Sequence, residues 1–293
     1  MRPVKTIAAV HDLSGVGRCA LTVAIPVLSA MGVQACPAPT AVLSAHTAFP
    51  DYVSRDLTEY LQSHLTMWNR MGLRFDGVYT GYMADTRQID ITLDFLSAQT
   101  HAVKVVDPVL GDDGVMYRAL PREMPRAMAR LCAAADVITP NLTEASLLTG
   151  LNLYGSFEGK GALGTGNVHP PVDQKLLEIL LERLMALGAG AVLLTGVNLE
   201  GVPVNAWTNG SGPFRLCAYE PVPARYPGTG DLFASVIAGA LTRGASLETA
   251  VQLATDYVRE TMQVTLDCGT DPLNGVQLEK TLHRLIPPQE EIL

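Results

Sequence analysis

The sequence predicts a three-layer α/β/α sandwich with a mostly parallel central sheet. Three features point to it. Short runs rich in β-branched residues alternate with amphipathic stretches of helical period. One run, over 102–106, is so apolar that it belongs in the middle of a sheet, covered on both faces. Late in the chain, Asn209-Gly210-Ser211-Gly212 separates the β-rich runs 202–208 and 214–218, as the turn of an antiparallel hairpin does.

From the start of the chain, a strand is expected over 6–10, ending at the polar loop His11-Asp12-Leu13-Ser14-Gly15. The Ala- and Leu-rich stretch 18–31 reads as a helix stopped by Gly32, with Pro26 predicting a kink or a later start. A weak strand over 33–37 follows. In 56–70, Leu57, Tyr60, Leu61, Leu65 and Trp68 share one helical face. A strand over 75–80 precedes a helix over 86–96 with Asp85 as its N-cap. Beyond the apolar strand, 125–135 is helical with Pro125 in its first turn, 137–138 is a minimal strand and 142–149 a helix.

The Gly- and polar-rich stretch 152–171 reads as a surface loop and the least ordered part of the chain. An amphipathic helix over 173–187 then feeds a strand over 191–195. After the hairpin, 231–241, 246–262 and 276–285 read as three closing helices. No repeat or linker divides the chain, so residues 1–293 are expected to form one domain.

Composition bounds the function. A chain of 293 residues with 48% hydrophobic and 17% charged residues can bury a large core and is not disordered. The formal charge of -8 disfavours a nucleic-acid surface. It leaves room for a nucleotide held by backbone N–H groups, a helix terminus and a metal ion. Cys19, Cys36, Cys132, Cys217 and Cys268 are odd in number and lack paired-ligand spacing. They predict free thiols in a reducing, cytoplasmic compartment and no zinc site. No secretory or transit segment is read at the first residues. The uncharged stretch 19–50 is broken by Pro26, Gly32, Pro37 and Pro39, which argues against a membrane span.

Ligands in such folds bind outside the carboxyl ends of the strands. That rule singles out Asp12/Ser14, Gly81/Tyr82, Asp107/Asp112, Asn141/Glu144 and Gly196. A Walker phosphate loop and a Gly-x-Gly-x-x-Gly fingerprint after the first strand are both absent. The strongest motif is Gly228-Thr229-Gly230-Asp231 ahead of an apolar helix. Two glycines flanking a threonine let successive N–H groups turn to one point, and a helix N-terminus adds its own. That makes an anion hole for a transferring phosphoryl group, with Asp231 placed to accept a proton from an attacking hydroxyl. The plainer reading is an N-cap aspartate after a glycine turn. Gly164-Thr165-Gly166-Asn167 looks alike, but Pro170 and Pro171 follow it, which assigns it to a loop.

Asp107-Pro108-Val109-Leu110-Gly111-Asp112-Asp113-Gly114 follows the apolar strand, where carboxylates need solvent or a cation. Magnesium bound through carboxylates, water and phosphates would supply one, and an Asp-Gly surface turn is the alternative. In Thr139-Pro140-Asn141-Leu142-Thr143-Glu144, Asn141 and Glu144 fit a capping box, and a solvated metal contact fits Glu144 as well. Ser14, Gly15 and Gly17, with Thr40, Ser44, His46 and Thr47, form a polar set without net charge. His46 reads as a hydrogen-bonding histidine before a general base. Tyr82 suits either stacking on a flat substrate or the core.

Taken in order, these residues resemble the ribokinase-like superfamily and, within it, the vitamin B6 kinases. The likeness runs from about Ile7 to about Leu241 and is strongest at Thr80-Gly81-Tyr82, at 106–112, at 138–150 and at 228–233. It implies a ribokinase-like fold and ATP-dependent phosphorylation of the hydroxymethyl group of pyridoxal, pyridoxamine or pyridoxine. Asp231 would be the base, and Gly228, Thr229 and Gly230 the anion hole. Asp107, Asp112 and Glu144 would organise Mg2+, largely through water. Asp112, Asn141, Glu144, Thr195 and Gly196 would face the nucleotide, and Ser14, Thr40, Ser44, His46, Thr47 and Tyr82 the substrate. A monovalent cation such as K+ and a homodimer are implied too. The short, glycine-rich run 12–17 leans toward the related hydroxymethylpyrimidine kinases, and a stretch around 154–170 has no counterpart. The alternatives are therefore a hydroxymethylpyrimidine (phosphate) kinase, or a ligand-binding protein of the same fold without turnover.

Overall fold

Residues 3–154 and 169–288 are described by the structure, a computed structural model. In chain order its strands are β1 (Lys5–Val16), β2 (Val33–Ala45), β3 (Ser54–Asp56), β4 (Gly77–Thr80), β5 (Val103–Val106), β6 (Gly111–Asp112), β7 (Val115–Met116), β8 (Val137–Ile138), β9 (Pro171–Val172), β10 (Val192–Leu199), β11 (Val202–Thr208) and β12 (Arg215–Ala218). The helices are α1 (Leu21–Ala30), α2 (Thr58–Arg70), α3 (Thr86–Ala98), α4 (Met124–Ala133), α5 (Leu142–Thr149), α6 (Gln174–Met185), α7 (Thr229–Thr242) and α8 (Leu247–Cys268).

One large sheet has the order β12-β11-β10-β8-β5-β4-β1-β2-β3, with β9 added beside β10. Pairing is parallel from β10 through to β2 and antiparallel at β10–β11, β11–β12 and β2–β3. The apolar strand β5 lies in the middle, as expected, between β8 and β4. Alternation along the strands divides the interior into two layers. Ala8, Val106, Val192 and Leu194 face a core shared with Leu61, Phe95, Met128 and Leu180 from α2, α3, α4 and α6. Ile7, Val105, Ala191 and Leu193 face the other, with Val27, Ile237 and Val251 from α1, α7 and α8. The three-layer sandwich is therefore present. Among the described residues no helix is long and apolar enough to cross a membrane.

Several starts follow from local chemistry that the sequence displayed. Asp85 accepts from the Arg87 N–H, Asp173 from the Leu176 N–H and Ser246 from the Thr249 N–H. Asn141 and Glu144 form a reciprocal capping box on α5. Pro125 sits in the first turn of α4, where its missing N–H costs nothing.

Other elements differ from the sequence reading. The expected loop at 11–15 continues β1, which runs on beside β2 to the pair Val16–Ala45 through a bulge between His11 and Leu13. β2 passes through Pro37 and Pro39 because there it pairs only with β1, and β3 joins its other edge at Ala41–Leu43. Prolines are tolerated on such an open edge. α1 begins at Leu21, not 18, and keeps Pro26 inside it. β3, β9 and the small β6–β7 hairpin have no counterpart in the sequence pattern, and β10 extends to Leu199. The helix expected over 276–285 is replaced by separate 3-10 turns at Pro272–Asn274, Leu278–Lys280 and Leu282–Leu285. Side chains of α8 claim polar groups there: Thr265 accepts from the Gln277 N–H, and Thr261 bonds Thr281. Most of the loop expected over 152–171, including Gly164-Thr165-Gly166-Asn167, lies outside the described residues.

Candidate active site

The carboxyl ends of β1, β4, β5 and β8 and the middle of β10 open onto one cavity of about 1070 Å³. It is lined by Asp12, Ser14, His46, Thr47, Tyr82, Asp107, Asp112, Asn141, Glu144, Thr195 and Gly196, together with Gly228 through Asp231. Thr40 and Ser44 are not in this lining. The Thr40 hydroxyl donates to the Tyr82 carbonyl, and the exposed Ser44 hydroxyl accepts from the Val53 N–H. Period two along β2 explains Ser44, since its neighbours Leu43 and Ala45 are the buried ones. Both ring nitrogens of His46 are engaged: Nε2 donates to the Leu273 carbonyl and Nδ1 accepts from the Ala48 N–H. This is the hydrogen-bonding reading, not the base.

Asp231 lies in the first turn of α7, whose N-cap is Gly228 with φ 82. Only glycine fits at 228, because a Cβ would meet the Arg18 carbonyl oxygen at 1.9 Å in a left-handed backbone. The first turn leaves N–H groups without helical partners, aimed where an anion would sit. At Gly230 a Cβ would meet no protein atom, so the bare backbone keeps ligand space open. Oδ1 of Asp231 takes a hydrogen bond from His11 Nε2 at 3.0 Å, and Oδ2 one from the Ala20 N–H at 2.8 Å. Ala20 adopts φ 54 with ψ -131, an uncommon positive φ for an alanine, at the start of α1. Burial alone would raise the Asp231 carboxyl, but the hydrogen bond and charge of His11 and the Ala20 N–H hold it below the usual carboxylate range.

His11 is the residue that the sequence reading missed. Its ring is buried at the β1 bulge between Asp231 and Asp12, with Nδ1 2.9 Å from Asp12 Oδ1. Burial would lower its pKa, but hydrogen bonds and charges from Asp12 and Asp231 outweigh that and raise it from 6.5 to about 10. The N–H groups of Asp12 and Tyr82 also approach Nδ1, at 2.9 and 3.3 Å. Whichever partner takes Nδ1, the hydrogen on Nε2 points at Asp231. The chain continues to Ser14, whose hydroxyl donates to Asp12 Oδ2 at 2.9 Å. Gly81 makes room for this ring: a Cβ there would lie 2.0 Å from the imidazole. Gly81→Ala is therefore expected to destabilise the fold by about 1–3 kcal/mol, the usual cost of overpacking. Denaturant unfolding measures this, and an unchanged midpoint would mean that His11 is not seated there.

Two more carboxylates are buried at the sheet edge. Asp107 accepts from the Thr139 hydroxyl, and burial together with the Asp231 charge pushes it up to about 7. Glu144 accepts from the Leu110 and Asn141 N–H groups, and burial and the Asp107 charge raise it well above its ordinary value. Asp112, in β6, pairs with Arg225 at 3.0 Å. Among the described residues no three acidic, histidine or cysteine side chains close on a point as a direct metal cage. The donor set instead fits magnesium held by few carboxylates, water and phosphate oxygens. Thr195 and Gly196 sit where β10 bulges, with the Thr195 N–H on the Pro140 carbonyl and the Gly196 N–H on Asn205.

The profile of the phosphomethylpyrimidine kinase family matches residues 24–275. A Bacteroides thetaiotaomicron protein provisionally named a phosphomethylpyrimidine kinase, crystallised in an orthorhombic form with pyridoxal, is 39% identical. It superposes with a TM-score of 0.85 over 98% of this chain and 97% of that one. Pyridoxal kinase from Lactobacillus plantarum is 32% identical, with a TM-score of 0.84 over 97% of each chain. Pyridoxal kinase from Arabidopsis thaliana is 26% identical over 289 residues, 90% of this chain and 84% of its own.

Proposed function

We propose that this chain, which belongs to the phosphomethylpyrimidine kinase family, is an ATP-dependent kinase that phosphorylates the hydroxymethyl group of pyridoxal, pyridoxamine or pyridoxine. The observation that carries this reading is Asp231 in the first turn of α7, on the wall of the cavity that also holds Ser14, Tyr82, Thr195 and Gly196. A base and an anion hole from one helix turn suit phosphoryl transfer, where positioning and charge stabilisation supply most of the rate. The likeness to a protein crystallised with pyridoxal supports the ring.

In this mechanism the substrate hydroxyl donates to Asp231. A carboxylate offers about four lone-pair sites, so the bonds from His11 and Ala20 leave room for it. The hydroxymethyl oxygen forms a bond to the γ-phosphorus as the bond to the β-phosphate oxygen breaks, and its proton passes to Asp231. The N–H groups of Gly228, Thr229 and Gly230 would receive the charge of the transferring group. Ser14 would contact the ring, Tyr82 flank it, and Thr47 lie at its rim; Thr40 and Ser44 support that wall from behind. Thr195, Gly196, Asn141, Asp112 and Glu144 would border the nucleotide. Asp107, Asp112 and Glu144 would hold Mg2+ through water, and the ion would neutralise phosphate charge. We assign a monovalent cation such as K+ to the anion-hole side on the same family grounds.

The whole chain, 1–293, is read as one domain, supported by one main sheet built from strands between Lys5 and Ala218, against which the late helices α7 and α8 pack. Free thiols at all five cysteines support a cytoplasmic location. Exposed Val42 and Val53 at the β3 edge of the sheet support a homodimer. A hydroxymethylpyrimidine kinase is the second reading, favoured by the family profile itself. The test is turnover: MgATP and pyridoxal should yield ADP and the 5′-phosphate ester in equal amounts. ADP formed without the ester would reject the assignment.

A further inference from the structure

Resting on the kinase reading above, we propose that Arg225, oriented by Asp112 and Asp113, is the cation that contacts the terminal phosphate of the nucleoside triphosphate. Arg225 stands three residues before Gly228, in the segment that leads into the anion hole, and lines the same cavity. Its side chain is only 10% exposed and is gripped by two carboxylates: Nη2 lies 3.0 Å from Asp112 and Nη1 2.6 Å from Asp113. Both acids belong to the tight β6–β7 hairpin, where Asp113 takes φ 51. The planar guanidinium is thus fixed in direction before a ligand arrives, which lowers the ordering cost of phosphate binding.

Charge in the cavity favours such a cation. Asp12, Asp107, Asp112, Asp113, Glu144 and Asp231 all line it, and a triphosphate adds roughly four negative charges to them. The sequence has no Walker lysine, and among the described residues no lysine lines the cavity. The other lining arginines, Arg118 and Arg259, are exposed, which leaves Arg225 as the sheltered one. Asp112 is also the residue read as a magnesium contact. If phosphate draws the guanidinium, Asp112 would be released to contact a hydrated ion that accompanies the nucleotide. Arginine suits this exchange because its fork matches carboxylate and phosphate alike.

The competing explanation is structural: Arg225 would merely tie the hairpin to the segment before α7. Titration calorimetry of the whole chain separates the two, using magnesium with ADP and with a non-hydrolysable ATP analogue. Arg225→Gln is expected to bind the triphosphate about 10–100-fold more weakly, the worth of a charged hydrogen bond, while its ADP affinity stays at the wild-type value. Arg225→Lys should recover part of that loss. Asp113→Asn loosens the guanidinium without removing the cation, so it should keep most of the preference for triphosphate over diphosphate and lose clearly less than Arg225→Gln. An unchanged preference in Arg225→Gln, or an equal loss in Asp113→Asn, would overturn the inference and leave the kinase reading standing. A wild-type protein that binds neither nucleotide would overturn both.

Discussion

Asp231→Asn is expected to lower kcat for pyridoxal by about 10²–10⁴-fold, the range over which a positioned general base contributes. The substitution keeps the shape of the side chain, and an amide oxygen can still accept from the Ala20 N–H. What it loses is the negative charge that takes the hydroxyl proton, held in the wild type by His11 against the effect of burial. Nucleotide affinity should therefore change little, because the first-turn N–H groups of α7 remain. Steady-state kinetics beside calorimetry checks both halves. Near-normal turnover in this variant would remove Asp231 from the mechanism. Unchanged nucleotide binding with no turnover even in the wild type would instead favour a ligand-binding protein of the same fold.

His11→Gln should produce the second largest effect, of a different kind. Glutamine can still donate toward Asp231 but carries no positive charge. An opposite charge this close lowers a carboxyl pKa by about 1–3 units, so the acid limb of the pH–rate profile should move up by about that much. The loss in kcat at neutral pH should shrink as the pH is raised. Stability gives an independent reading. The folded-state pKa of His11 is raised from 6.5 to about 10, so its charge supports the fold fully below about 6.5. That support is lost as the pH rises toward 10. Unfolding free energies measured from pH 6 to 10 should therefore fall more steeply in the wild type than in His11→Gln. Parallel curves would show that His11 is not charged in the folded protein.

These two residues mark what could be read from the chain. The turn that sets Asp231 at the start of α7 is legible because its pattern is local: two glycines, a hydroxyl residue and an apolar helix are contiguous. The capping box of Asn141 and Glu144, the N-cap Asp85 and the buried strand β5 were legible for the same reason. His11 was not. A lone histidine in a polar run with nearby glycines looks like a loop, and its partner lies 220 residues away. Only the pairing of β1 with β2 converts that run into strand and turns the ring toward α7. Arg225 was hidden likewise, since its carboxylate partner Asp112 is 113 residues distant. The resemblance to the vitamin B6 kinases groups Ser44 and Thr40 with the substrate residues. Strand alternation then placed one outward and the other beneath Tyr82. The closing helix failed because Thr265 and Thr261 satisfy polar groups that a helical reading assigns to the segment itself.

On the proposed function, the group phosphorylated is a hydroxymethyl carried on a vitamin B6 ring. The most direct test offers the wild-type chain pyridoxal, pyridoxamine, pyridoxine and hydroxymethylpyrimidine in turn, with saturating MgATP, and compares kcat/KM for ester formation. At least one B6 vitamer is expected to exceed the pyrimidine. A clear preference for the pyrimidine would contradict it.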